Sequence, residues 1–359
     1  NSNEFNGMKN TEAKKAITQK AVDNGFGEFK TQYRLRDWLI SRQRYWGAPI
    51  PMVYCDKCGI VPEKEENLPV MLPTDVDFSV VGKSPITTSK TFAETTCPIC
   101  GGKARRELDT MDTFVCSSWY YLRYSDPKNA NLPFSKELVD HWLPVDQYVG
   151  GIEHAILHLL YSRFFTKALK DLGLLSFDEP FKNLLTQGMV LKDGSKMSKS
   201  KGNTVDPDEI FENYGADTAR LFILSDSPPA RDFDWSDAGV EGCYKFLNRV
   251  WRLVSENQEY VTKDYKLTFP LTRENDDLVR IVHMMIKEVT NDIANDFQFN
   301  TVISKYRELT NAIYDWKNKK PELTEEDKNV FSFAVVSLIK LMSPVTVHMS
   351  EEIWHDLGN

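Results

Sequence analysis

The hydrophobic pattern of this 359-residue chain changes its period near residue 236, and that change constrains the fold more than any other feature. Before it, short apolar runs suited to strands alternate with segments whose apolar residues follow helical spacing. After it the strand-like runs vanish. Helical spacing alone continues in the remaining segments: 240–257, 276–295, 299–316, 325–342 and 348–357. The sequence therefore predicts an α/β region followed by an α-helical bundle.

Within the α/β region, two strands and their flanking helices have local signals. A strand over 147–150 leads into a predicted helix over 152–172, and a second strand is predicted over 184–191. Asp206 followed by proline predicts a helix start, because aspartate caps free N–H groups and proline suits the first turn. This alternation is typical of a doubly wound α/β layout.

Four of the six cysteines form two Cys-x-x-Cys-Gly motifs, Cys55 with Cys58 and Cys97 with Cys100. This spacing points backbone N–H groups at the thiolates, and the glycine relieves the tight turn. We predict a structural Zn²⁺ site, since four thiolates leave no open position for water. Two disulfides remain the alternative, which the lack of a secretion signal disfavours. Because the stretch between the pairs is polar, the metal is expected to hold this module together.

Residues 194–203 read Gly-Ser-Lys-Met-Ser-Lys-Ser-Lys-Gly-Asn, which places three lysines between two glycines. Small residues let the backbone approach a ligand, and the ammonium and N–H groups suit a polyphosphate. A solvated basic turn is the alternative interpretation. For an arbitrary loop rich in lysine and serine the solvated turn is the commoner case, so composition alone leaves both interpretations open.

A glycine pair, Gly150 and Gly151, joins a strand end to a helix start that carries Glu153, His154 and His158. Backbone donors and the helix dipole favour ligand binding at such a junction. The two histidines lie one helical turn apart and could bind a metal. However, the metalloprotease motif needs glutamate after the first histidine, whereas here it precedes it. A packed core histidine is the other alternative, and we interpret the junction as a nucleotide site.

Two further stretches are rich in aromatic residues. In the first, Phe114, Ser117 and Tyr120 could form a pocket for a small apolar ligand with an ammonium group, although such stripes often belong to a core. The second has four arginines set among tryptophan and tyrosine, a combination that suits phosphate contacts and base stacking. A solvated, ion-paired surface is the alternative for each of them: Arg34, Arg36, Arg42 and Arg44.

Taken together, five segments resemble the bacterial leucyl-tRNA synthetases, a class I family: 33–51, 112–127, 148–165, 187–205 and 232–251. The run Lys-Met-Ser-Lys-Ser at 196–200 matches the class I signature loop. The resemblance implies a mixed fold: the second half of a Rossmann-like α/β catalytic domain with an inserted zinc module, followed by a helical bundle. The implied domains are an editing-domain exit (1–32), a catalytic domain (33–54 and 108–225), a zinc insertion (55–107) and an anticodon-side tRNA-binding bundle (226–359).

The same resemblance implies ATP-dependent activation of leucine to leucyl-adenylate and its transfer to tRNA(Leu). Lys196 and Lys199 would be catalytic, and Mg²⁺ would bridge the phosphates. The implied ATP-binding residues are Gly150, Gly151, Glu153, His154, Gln187, Val190, Met197 and Ser198. The implied leucine-binding residues are Phe114, Ser117, Tyr120 and His158. The arginine-rich segment would lie near the incoming tRNA.

The sequence departs from the family in one motif, because none of its six histidines forms the His-x-Gly-His loop that class I enzymes need. We therefore expect a central fragment that lacks the N-terminal half, most of the editing domain and the C-terminal domain. It is expected to be inactive without that N-terminal part. Two alternatives stay open: a non-catalytic zinc-stabilised RNA-binding module, and a synthetase for isoleucine, valine or methionine.

Charge and hydrophobicity limit the partners and the cellular location that the sequence allows. The net charge of −8 argues against a chain coated in nucleic acid but permits a local basic face. No run approaches the roughly 18 apolar residues of a membrane span, and no signal peptide precedes the polar start. We predict a cytoplasmic protein without a membrane partner.

Overall fold

The computed structural model describes residues 2–34 and 38–358. It divides into two compact units, Asn1–Ser117 and Ser118–Asn359, which are described separately. Within the described ranges, no helix combines the length and the apolar character needed to cross a bilayer. The family-based domain boundaries stay a prediction.

The first unit opens with a 3-10 turn, Asn3–Phe5, and a helix, α1, whose described residues are all at least partly exposed. Short strands and helices follow. In chain order the elements are α1 (Asn10–Asp23), β1 (Ser41–Arg42), β2 (Met52–Cys55), β3 (Gly59–Pro62), α2 (Lys90–Ala93), β4 (Glu94–Thr96), β5 (Lys103–Arg106), β6 (Thr110–Met111) and α3 (Thr113–Cys116).

The cysteine motifs lie in a four-stranded antiparallel sheet of order β3-β2-β5-β4. The β2–β3 hairpin turns at Gly59, which has φ 75° and pairs with Cys55. The small core beside this sheet contains Val53 and Val61 together with the sulfur of Cys97. A separate antiparallel pair, β1 with β6, aligns Ser41 with Met111.

The second unit starts with the α/β region. Its elements are α4 (Tyr120–Ser125), α5 (Lys136–Trp142), β7 (Tyr148–Gly151), α6 (His158–Asp171), β8 (Leu184–Gln187), β9 (Val190–Lys192), β10 (Ser195–Lys196), α7 (Pro207–Tyr214), α8 (Ala216–Ser225) and β11 (Phe233–Asp234). β7 pairs with β8 in parallel, and β9 lies between antiparallel β10 and parallel β11. The Asp206 cap is confirmed, since its carboxylate accepts the N–H of Asp208.

Two predicted elements are each divided in the structure. The segment predicted as one helix over 152–172 is a 3-10 turn, Ile152–Ile156, and then α6, with Leu157 between them at φ −118° and ψ −106°. The predicted strand over 184–191 becomes β8 and β9. The division falls at Gly188, whose N–H donates to the carbonyl of Pro229 instead of a neighbouring strand.

The predicted helical bundle is confirmed. Its helices are α9 (Asp237–Ser255), α10 (Arg273–Asn291), α11 (Phe299–Asn318), α12 (Glu325–Met342) and α13 (Val347–Asp356). They enclose one core in which Tyr306, Phe331 and Leu338 are fully buried. α8 joins this core through Leu221 and Phe222, and the Asp217 carboxylate accepts the N–H of Met349 at 2.7 Å. The α/β elements are thus anchored to the bundle within this unit.

Candidate active site and metal centre

The parallel pairing of β7 with β8 brings the glycine pair to Gln187. The register aligns Gly150 with Thr186 and Gly151 with Gln187, so the ends of both strands meet at one edge. In open α/β sheets, ligands bind at the carboxyl ends of parallel strands. The local topology therefore positions three of the predicted nucleotide-binding residues together.

Close packing explains why glycine stands at both positions of the pair. A Cβ on Gly150 would lie 2.9 Å from the Tyr148 ring, and one on Gly151 would lie 2.2 Å from a carboxylate oxygen of Glu153. Real Cβ atoms do not approach neighbours this closely, because the overlap is strongly repulsive. A larger residue at position 151 would displace the Glu153 carboxylate, and one at position 150 would displace the Tyr148 ring.

A cavity of about 290 Å³ opens beside this turn. One wall consists of Gly151, Glu153, Gln187, Gly188 and Val190, and the other includes Ile223, Leu224, Ser227 and Phe233. Ligand clefts in proteins span about 300–1,000 Å³, so this volume suits part of a nucleotide. Four predicted ATP-binding residues line it, whereas Gly150, His154, Met197 and Ser198 are outside its lining.

The lysine loop is connected to the cavity by one short strand. β9 begins at Val190 in the cavity wall and ends at Lys192, and two residues of strand span roughly 7 Å. Lys192 pairs with Ser195 across a tight turn at Asp193 and Gly194, with φ values of 55° and 68°. A 3-10 turn, Lys199–Lys201, follows.

The lysines of this loop are electrostatically uncompensated. Lys196, Lys199 and Lys201 are exposed, and neither they nor Lys192 form an ion pair with a residue in the described ranges. Residues 192–201 contain four lysines and one aspartate, so the loop has a net positive charge that favours binding of an anion. Its chemistry suits the phosphates of a nucleotide.

The predicted leucine-binding residues are divided between the two units. Tyr120 and His158 belong to the second, where their rings lie 5.9 Å apart. The buried His158 Nδ1 lies 2.9 Å from the Tyr148 hydroxyl, and burial raises the pKa of Tyr148. Phe114 and Ser117 belong to the first unit, where the Ser117 hydroxyl donates to the Phe114 carbonyl at 3.4 Å.

The four motif cysteines converge in the first unit. Their sulfur atoms all lie within 4.8 Å of one another, and Cys55 and Cys100 are 3.7 Å apart. The backbone N–H of Cys100 stabilises the Cys97 thiolate and lowers the pKa of Cys97 to about 7. All six cysteines, which lie in the described part of the chain, are free thiols. Four sulfurs at this spacing fit a tetrahedral metal ion, so this cluster is a possible metal site.

The arginine-rich segment contains two ion pairs to one buried carboxylate, a partner that the sequence did not indicate. Arg42 Nε lies 2.6 Å from the carboxylate of Asp112, and Arg44 lies 3.7 Å from the same oxygen. The Asp112 side chain is 4% exposed, so these guanidinium groups support the fold locally. Arg34 is exposed and without an ion pair among the described residues, while Arg36 lies outside them.

Sequence reasoning gave no role to the polar residues that fix the lysine hairpin. The carboxylate of Asp232 accepts the Met189 N–H at 2.6 Å, and that of Asp234 accepts the Gly194 N–H at 2.9 Å. Asn203 contacts the loop from its other side. The signal for Asn203 was its position directly after Gly202. Asp232 and Asp234 lie about forty residues from the groups they bind, so no local pattern indicated them.

Comparison with known proteins defines the class. Residues 8–236 match the family of tRNA synthetases class I (I, L, M and V), and residues 276–359 match the anticodon-binding domain of tRNA ligases. The chain belongs to the class I tRNA synthetases of this group. The predicted mixed catalytic fold with a helical C-terminal region is confirmed.

Within that class, two similar proteins that span the whole chain are leucine enzymes. The chain is 54% identical over 360 residues to the leucine–tRNA ligase of Petrotoga mobilis and 55% identical over 370 residues to that of Nitratidesulfovibrio vulgaris. It spans 43% and 44% of their lengths. The predicted resemblance to leucyl-tRNA synthetases is confirmed as a similarity over the full chain.

Two solved synthetase structures also resemble this chain. The ternary complex of Agrobacterium radiobacter K84 agnB2 LeuRS, tRNA and LeuAMS matches 99% of this chain and 44% of that chain, with a TM-score of 0.87 and 38% identity. The methionyl-tRNA synthetase of Mycobacterium tuberculosis bound by methionyl-adenylate matches 74% of this chain and 52% of that chain, with a TM-score of 0.54. At 17% identity, the second match concerns the fold alone.

Proposed function

We propose that this chain supplies the ATP- and leucine-binding part of a leucine–tRNA ligase. The observation that carries the proposal is the junction of β7, β8 and β9, which connects a glycine-lined cavity to an uncompensated lysine hairpin. The similarity to two leucine–tRNA ligases over the whole chain supports leucine rather than isoleucine, valine or methionine.

In the proposed reaction, a carboxylate oxygen of leucine attacks the α-phosphorus of ATP. The bond to pyrophosphate breaks, and its electron pair leaves with the pyrophosphate. Lys196 and Lys199 stabilise the negative charge on the departing group. A preorganised charge of this kind contributes roughly 3–4 kcal/mol in the transition state. Mg²⁺ would neutralise further phosphate charge. The terminal adenosine of tRNA(Leu) would then attack the leucyl carbonyl and release AMP.

The binding roles follow the resemblance and the cavity. Glu153 and His154 would hold the ribose, and Gln187 and Val190 would line the nucleotide side. The remaining proposed ATP contacts are Gly150, Gly151, Met197 and Ser198. The resemblance assigns leucine-binding roles to Tyr120 and His158 in the second unit and to Phe114 and Ser117 in the first.

The other modules have supporting roles in this proposal. Cys55, Cys58, Cys97 and Cys100 would bind a structural Zn²⁺, for which the convergence of their sulfurs is the support. The bundle and Arg34 would contact tRNA. Because translation draws its aminoacyl-tRNA from the cytoplasm, we propose that the protein acts there.

ATP–pyrophosphate exchange tests the proposal. The full 359-residue chain is supplemented with the segments of the Petrotoga mobilis ligase that it does not span. We expect leucine-dependent exchange in the mixture and none from either part alone. This chain contains no His-x-Gly-His motif, and the added segments lack the part of the ligase that corresponds to the lysine loop. Absence of exchange in the mixture would contradict the proposed function.

A further inference from the structure

The side chain of Asn203 connects the lysine hairpin to the turn that carries Lys199. Its Oδ1 accepts the backbone N–H of Ser198 at 2.9 Å. Its Nδ2 lies 3.5 Å from the carbonyl of Lys192 and 3.4 Å from that of Lys196. A single carboxamide thus reaches both strands of the hairpin and the start of the 3-10 turn.

The far end of the hairpin is fixed independently. The Asp234 carboxylate accepts the N–H of Gly194 at 2.9 Å, and Asp234 itself is held in a strand that pairs with Leu191. Between these two anchors, the backbone positions of Lys196 and Lys199 are determined by hydrogen bonds. Among the described residues, the other hydrogen bonds of the segment from Met197 to Gly202 are those of its own local turn.

The charge of the loop explains why an amide suits this position. Lys192, Lys196, Lys199 and Lys201 repel one another, and no carboxylate in the described part of the chain forms an ion pair with them. A neutral carboxamide offers both a donor and an acceptor. It can hold the loop together without neutralising the charges that an incoming phosphate needs, whereas a carboxylate would compete with the phosphate for them.

We infer that Asn203 is a positioning residue for adenylate formation, acting through Lys196 and Lys199. This inference rests on the proposed function. Because the lysines act on charge that develops as pyrophosphate departs, a misplaced loop should lower kcat more than it raises KM for ATP.

The test compares Asn203→Ala with Asn203→Asp in the supplemented ATP–pyrophosphate exchange assay. Asn203→Ala loses all three contacts of the carboxamide, and kcat is expected to fall about tenfold with KM for ATP within about twofold. Asn203→Asp keeps an acceptor for the Ser198 N–H but adds a negative charge beside the lysines. Its kcat is expected to recover at least in part, while KM for ATP rises severalfold.

Asn213→Ala is the matched control, since the Asn213 amide donates only to a carbonyl within its own exposed helix α7, that of Glu209 at 2.8 Å. It should leave both constants unchanged. Wild-type kcat in Asn203→Ala would overturn the inference, as would equal losses in the Ala and Asp variants. Absence of exchange by the wild-type mixture would instead contradict the proposed function. Thermal unfolding of each variant identifies any that misfold, in which case the remaining variant decides.

Discussion

Lys196 and Lys199 have exposed charges with no carboxylate among the described residues to neutralise them. An exposed lysine contributes little to folding stability, because water already solvates its charge. The same lysine beside a departing pyrophosphate can stabilise a transition state. Substituting either lysine should therefore slow catalysis strongly while changing folding stability little.

We predict that Lys199→Ala lowers the rate of leucine-dependent ATP–pyrophosphate exchange by about 10²–10³-fold, as loss of one preorganised charge does elsewhere. The melting temperature should stay within about 1 °C of wild type. Lys287→Ala, an exposed lysine on α10, is the control. If Lys199→Ala instead weakens tRNA binding and leaves exchange intact, the RNA-binding module becomes the better interpretation.

Within the arginine-rich segment, we predict a tRNA-binding role for Arg34 and a structural role for Arg42. Arg34 is exposed without an ion pair to a described residue, whereas Arg42 binds the buried carboxylate of Asp112. We predict that Arg34→Ala weakens tRNA binding and lowers the salt-dependence slope by about one. Arg42→Ala should instead lower the free energy of unfolding by about 2 kcal/mol, because it removes the closest cation from a buried carboxylate. Filter binding at several salt concentrations and urea unfolding measure the two effects, and a reversed pattern would contradict both assignments.

At the scale of elements, the helices were largely predictable and the interruptions were not. The predicted bounds 325–342 coincide with α12, because helical spacing and the Thr324 capping box are local signals. The break at Gly188 has a distant cause, since a Cβ there would lie 2.2 Å from the carbonyl carbon of Arg231. Likewise, Arg42 finds its partner on a segment some seventy residues away, which no local pattern could indicate.

The cap of α12 predicts a pH dependence. Burial alone would raise the pKa of Asp327, but hydrogen bonds from Lys320, Thr324 and Asn275 outweigh it and lower the pKa to about 2. A lowered folded-state pKa stabilises the protein above the unfolded value near 3.8, and this contribution is lost as the pH falls toward 2. The contribution at neutral pH is roughly 2 kcal/mol.

We therefore expect the difference in unfolding free energy between wild type and Asp327→Asn to shrink as the pH falls from about 5 to about 2. Urea unfolding followed by circular dichroism at several pH values measures it. Lys320→Met removes the cationic partner and should show the same convergence. A difference that stays constant across this range would contradict the assignment to Asp327.

Removing the metal from the cysteine module tests whether the metal, rather than a hydrophobic core, holds its strands together. Chelation of the bound ion should unfold this module at a lower temperature, since structural zinc contributes directly to folding. Cys58→Ser should reduce the zinc content well below one ion per chain, as measured by elemental analysis. Cys116→Ser is the control, because that exposed thiol lies outside the cluster. Full zinc content in Cys58→Ser would contradict four-thiolate binding.

At the scale of the whole molecule, this chain contains the helical core but lacks one motif of the proposed active site. The bundle core and the β7–β8 junction lie within this chain, and the chain spans 43–44% of its leucine–tRNA ligase relatives. The sequence indicated this partial coverage, because it contains the lysine loop but no His-x-Gly-His motif. We therefore propose that this chain supplies catalytic charge and binding determinants, and we expect turnover to need a motif that it does not contain.

Amino-acid selectivity has to be measured on the supplemented mixture, because exchange is expected from the mixture and not from this chain alone. Rates of ATP–pyrophosphate exchange with leucine, isoleucine, valine and methionine should be compared in the supplemented mixture. We expect leucine to exceed isoleucine by at least about tenfold in kcat/KM, because rejecting a differently branched side chain in a packed pocket is worth about 1–3 kcal/mol. His158→Ala should reduce that ratio, because the buried imidazole holds the Tyr148 hydroxyl and packs beside Tyr120, so its loss enlarges the pocket. A preference for isoleucine, valine or methionine would assign the chain to another member of the class, and equal rates with all four amino acids would contradict the predicted selectivity.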